Sequence, residues 1–195
     1  MRNALIAATI ASALLSACGG PQTSSANNTQ SNMSDTASPP ATAQGSTAAQ
    51  GSATAPDMSA VSGDQAKTVM HARHEGMETI GKTTKALKRQ LDSASPDMAA
   101  VSAGAAQLND LAGKASGWFH AGTGPDVGKT GAKPDIWLPQ NQSDFASKLS
   151  GLQKAAQAFN AAAAKGDVNA IKARYADLGG ACKACHDKYR AEMHH

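Results

Sequence analysis

Aromatic side chains are scarce in this sequence: two Trp, two Tyr and three Phe among 195 residues. Nucleic-acid readers need stacking aromatics or a basic stripe, and neither is present; the formal net charge is only +3. Three cysteines occur in all, and the one close grouping of Cys and His offers three ligands where structural zinc wants four. No carboxylate pair, serine–histidine set or open metal triad stands out, so enzymatic turnover is not indicated. The single long apolar stretch, Ala4 to Leu15, is too short to span a bilayer, which takes about 20 residues.

That stretch follows Arg2 and has the form of an export signal over residues 1–17. It ends in Leu15-Ser16-Ala17-Cys18, which resembles the bacterial lipobox, whose cysteine is lipidated. Residues 18–60 are mostly Ser, Thr, Ala, Gln, Asn, Gly and Pro without periodicity, as expected of a lipidated cysteine and a disordered tether. At about 5–6 Å × √n, the tether would reach about 35 Å.

From residue 61 to 195 the pattern turns helical. Met70, Arg73, Met77, Ile80, Thr84, Leu87 and Leu91 step by three and four along one face. Ser95-Pro96-Asp97 reads as a helix start with proline in the first turn, and Val101, Ala105, Leu108 and Ala112 form the stripe behind it. Ser143-Asp144 opens a third helix with Phe145, Leu149, Leu152, Ala156, Phe159 and Ala163 on its seam. Gly166-Asp167 ends it and caps a fourth, with Val168, Ile171, Tyr175, Leu178, Cys182, Cys185 and Tyr189 in line. The expected fold is all-α, an antiparallel up-down four-helix bundle. Its one long connection, Gly117 to Gln142, carries both tryptophans and is expected to pack across the bundle.

Chemistry concentrates at the end of the fourth helix, in Cys182-Lys183-Ala184-Cys185-His186. Helical spacing i, i+3, i+4 gathers two thiols and an imidazole on one patch. C-x-x-C-H reads as c-type haem attachment, with Cys182 and Cys185 forming thioethers and His186 reaching the iron. A redox dithiol wants the positive end of a helix to depress its pKa, whereas these cysteines lie near the negative end. A disulfide would cross-link one helix to itself and stabilise little. Arg73 adds a second clue: an unpaired buried guanidinium is costly, and a haem propionate is a natural bidentate partner. The competing reading has Arg73 reaching water from the bundle end.

These residues together resemble the cytochrome c′ family. The resemblance covers about residues 64–192. It rests on Arg73-x-x-x-Met77-x-x-x-Gly81, Lys133-Pro134-Asp135-Ile136-Trp137, Asp144-Phe145 and the run Gly180 to Arg190. It implies one covalent haem c, His186 as the proximal iron ligand, and Met77 over the distal face. Arg73 would lie near the propionates and Arg190 on the proximal side. The lipobox and tether lie outside the usual family domain.

The resemblance leaves two functions open. With Met77 only blocking the distal side, the haem is five-coordinate and binds nitric oxide or carbon monoxide, as in nitric oxide sequestration. With Met77 ligating iron, a six-coordinate low-spin His186/Met77 centre suits electron transfer with redox partner proteins. A different class, a non-haem structural lipoprotein, explains the tether but not the Cys–His spacing. The expected location is the periplasm, anchored to the outer membrane through lipid on Cys18. Lys172, Arg174, Lys183, Lys188 and Arg190 could steer an acidic partner, and the family implies a homodimer through the first two helices. His71 and His74 share helical spacing and are expected to be solvated.

Overall fold

The computed structural model of the protein describes residues 54–192. The signal segment, Cys18, most of the tether, and the terminal His194 and His195 lie outside the described residues. Four α-helices follow one another: α1 (Gly63–Asp92), α2 (Met98–Lys114), α3 (Gln142–Lys165) and α4 (Val168–Tyr189). Helix α1 packs on α2, α2 on α3 and α3 on α4, whereas α1 and α4 approach each other at few points. This is the all-α up-down bundle, with no strand among the described residues. None of the described helices is long and apolar enough to cross a membrane.

The periodic seams are the faces that pack inward. Leu87, Leu91, Val101, Leu108, Phe159, Ile171 and Leu178 form one cluster. Trp118, Phe119, Ile136, Phe145, Leu149 and Tyr189 form a second, with Phe119 and Tyr189 each set edge-on to Phe145. Full burial of one such apolar side chain contributes about 1.5–3 kcal/mol, so the clusters, rather than helix propensity, hold the bundle together.

Helix ends follow their capping chemistry, with two corrections. Asp97 is itself the cap of α2, its carboxylate accepting from the Ala99 and Ala100 N–H groups at 2.9 and 3.1 Å. Pro96 therefore precedes the cap instead of occupying the first turn. Helix α3 starts at Gln142, run into by a 3₁₀ turn over Pro139–Asn141, and Asn141 makes no side-chain cap. Between α3 and α4, Gly166 takes the left-handed conformation (φ 76°) that stops one helix. Asp167 then caps the next through the Asn169 and Ala170 N–H groups, a cap worth about 1 kcal/mol.

The long connection packs across the bundle as expected. It contains 3₁₀ turns at Ala115–Gly117 and Pro134–Trp137 and buries Trp118, Phe119, Ala132 and Ile136. The boundary drawn at residue 61 needs adjustment. Residues 57–61 form a strap along this loop, with the Asp57 N–H on the Ser116 carbonyl and the Val61 N–H on the Ala121 carbonyl, both at 2.9 Å. Val61 is buried and Met58 packs against the second cluster. His120, unassigned from sequence, lies on this strap with Nδ1 3.2 Å from Ser59 Oγ.

Candidate haem site

An apolar cleft lies between α1 and α4, which are joined further along by the Tyr175 hydroxyl donating to the Thr84 carbonyl at 2.8 Å. It is lined by Met77 and Ile80 of α1, Phe119 of the loop, Phe145, Leu149 and Leu152 of α3, and Cys182, Cys185 and His186 of α4. Its enclosed volume is about 40 Å³, a narrow slot between the side chains. The cleft lies where the two clusters meet: Cys182 packs against the first, Cys185 against the second, and Ile80 and Leu152 touch both.

Both cysteines are half-buried and unbridged. Burial raises both thiols above their usual range, Cys185 to about 11, so neither is a ready thiolate. That disfavours the redox-dithiol reading on grounds independent of helix polarity. His186 sits at the rim and is the more exposed of the three; burial first, and then the charge of Arg190, pushes its pKa down. A neutral imidazole and two protonated thiols facing an apolar slot fit a flat, hydrophobic, covalently attached group better than a zinc ion.

Arg73 is buried, as its place on the seam requires, and its partners are specific. Nη1 donates to the Trp118 carbonyl and to Thr123 Oγ1, both at 2.9 Å. Nη2 donates to the Thr123 carbonyl at 2.8 Å and to Thr130 Oγ1 at 3.0 Å. The guanidinium also lies over the Phe119 and Trp137 rings, 5.4 and 5.8 Å from their centroids. Burial lowers its pKa to about 10, which leaves it protonated at neutral pH. The terminal N–H groups are thus engaged by the loop, so Arg73 neither reaches water from the bundle end nor stands among the residues lining the cleft. Gly76, the residue before Met77, lies directly beneath Trp118; a Cβ there would collide with the indole. Trp137 Nε1 donates to the Phe119 and His120 carbonyls at 3.0 and 2.9 Å, tying the two halves of the loop together.

Arg190 follows α4 as its C-terminal cap, exposed, its N–H on the His186 carbonyl at 3.1 Å. Its guanidinium reaches His186 through charge. Of the basic residues on α4, Arg174 pairs with Asp177, Lys183 with Asp187 and Lys188 with Asp144, so the steering face is largely neutralised. Lys148 was missed from sequence. It lines the cleft beside Cys185 and lies 3.7 Å from Asp144 Oδ1. The clue available was its position next to Leu149 on the inner stripe of α3.

Residues 68–190 match the family described as Cytochrome C′. Among similar proteins, cytochrome c′ of Allochromatium vinosum is 32% identical over 126 residues, covering 63% of this chain and 80% of that protein. The crystal structure of cytochrome c′ from Thermochromatium tepidum superposes with a TM-score of 0.59 at 34% identity, covering 65% of this chain and 97% of that one. Another cytochrome c′ structure, described by an unusual ligand-controlled dimer dissociation, gives a TM-score of 0.59 at 29% identity. It covers 67% of this chain and all of that one.

Proposed function

Since the chain belongs to the cytochrome c′ family and carries that family's covalent c-type haem, we propose that it binds small gaseous ligands, nitric oxide and carbon monoxide, at a five-coordinate iron. Cys182 and Cys185 would carry the thioethers, and His186 on the same helix would ligate the iron. Haem supplies an open coordination position there, and the chain's residues shape it. Met77, Ile80 and Phe119 keep the opposite side apolar and shed water. The observation carrying this reading is the cleft, whose lining brings His186 and both thiols of α4 together with Met77 of α1.

The same observation supports a second reading, since Met77 is also a thioether: as an iron ligand it would make the centre six-coordinate and suited to electron transfer. Absorption spectra separate the two. A high-spin reduced protein whose bands shift under carbon monoxide supports gas binding. A low-spin spectrum that carbon monoxide leaves unchanged, and that Met77→Ala converts to high-spin, supports ligation. Absence of haem bands after expression with the attachment machinery removes both.

The N-terminal pattern supports export and lipidation at Cys18, with the haem domain held at the periplasmic face of the outer membrane by its tether. A globomycin-sensitive mass shift tests this independently. One similar cytochrome c′ is described by a ligand-controlled dimer dissociation, and a dimer of this chain that responds to its gaseous ligand belongs to the same proposal. Sedimentation with and without carbon monoxide reads it.

A further inference from the structure

The face of α1 turned away from the cleft carries His71, His74, Glu75 and Glu78, all exposed. At 100° per residue these four positions fall within about 100° of arc, each three or four residues from two of the others. Side-chain positions bear this out for three of them. The ligand atoms of His74, Glu75 and Glu78 lie within 4.8 Å of one another, the one such grouping among the described residues. We propose that this diamond binds a divalent transition-metal ion of the zinc or copper type, at a site separate from the haem.

Ligand chemistry points to that class. Imidazole nitrogen with carboxylate oxygen suits Zn²⁺, Cu²⁺ and Ni²⁺, whereas Ca²⁺ takes six to eight oxygens. The backbone beneath the site is held in advance. Arg73 and Gly76 interleave with the four ligands, and their inward contacts with Thr123 and Trp118 immobilise the same two turns. Little ordering remains for an ion to impose beyond the side chains. One competitor is in place: Lys82 Nζ lies 2.7 Å from Glu78 Oε1. Both partners are well exposed, and such a pair is readily displaced. The two carboxylates match a divalent charge.

Zinc titration of the haem-loaded full chain by calorimetry tests the proposal. His194→Ala with His195→Ala forms the background, which removes the terminal pair as a rival site. One saturable ion per chain is expected, weakened at least about tenfold by His74→Ala and by Glu78→Gln. With Cu²⁺, electron paramagnetic resonance should show nitrogen coupling that is lost when His71 and His74 are both replaced. Uptake weaker than about 1 mM, or uptake indifferent to His74 and Glu78, overturns it. All four side chains point to solvent, so the variants should keep their fold, and the haem spectrum provides a check. Because the site lies outside the cleft, its failure leaves the haem reading untouched.

Discussion

Arg73 Nη2 donates to the carbonyl of Thr123 at 2.8 Å, joining positions fifty residues apart. With the Trp118 carbonyl and the hydroxyls of Thr123 and Thr130 it makes the guanidinium the fastener between α1 and the long connection. A lysine offers one compact ammonium and cannot serve both forks. Arg73→Lys should cost about 2 kcal/mol, since bonds to charged groups contribute about 1.5–3 each and some survive. Arg73→Met, which strands buried acceptors, should cost about 3 kcal/mol or more. Urea midpoints check both, with exposed Arg190→Lys changing stability by less than about 0.5 kcal/mol.

Two glycines on α1 should respond in opposite directions. A Cβ on Gly76 meets the Trp118 ring, whereas one on Gly81 meets nothing within 4 Å. Gly76→Ala forces the indole and the loop to shift, an overpacking cost of about 1–3 kcal/mol. Gly81→Ala gains up to about 1 kcal/mol of helix propensity. Thermal unfolding of the two variants reads the difference, and equal shifts would show that Trp118 does not press on α1.

What sequence made legible was whatever depends on spacing along one element. The seams of α1 to α4, the Gly166-Asp167 turn and the Cys182–Cys185–His186 patch are all set by helical period or capping chemistry. Arg73 was legible as buried but its partners were not, because two of the four are backbone carbonyls, which carry no identity in a sequence. Lys148 was hidden for a similar reason: only the approach of α4 places Cys185 beside it. The strap at residues 57–61 was hidden by its own composition, which continues that of the tether while its backbone pairs with the loop.

That strap gives a boundary test. A chain beginning at Asp57 behind a surrogate export signal should match the stability of the full-length protein. One beginning at Ser62 loses the buried Val61, the Met58 contact and the hydrogen bonds to Ser116 and Ala121. The expected cost is about 2 kcal/mol, from one apolar burial and exposed backbone bonds. Equal melting temperatures for the two chains would return the boundary to residue 61.

Acid stability should report the junction of α3 and α4. Asp144 Oδ2 accepts from the Tyr189 hydroxyl at 2.6 Å and from Lys188 Nζ at 2.9 Å. Those two bonds, the tyrosine's first, hold its pKa below the usual 3.8. A depressed carboxylate pKa stabilises the fold above the unfolded value, and the gain disappears as pH falls through the folded value. Asp144→Asn should therefore lower stability at neutral pH, with the gap from wild type closing below about pH 4. Tyr189→Phe removes the larger cause, so Asp144 should titrate closer to its ordinary range by NMR. Stability curves that stay parallel down to the acid limit would mean that the carboxylate contributes by shape alone. Tyr189 packs edge-on to Phe145 three residues after His186, so the same measurement shows how firmly α3 holds the haem-bearing end of α4.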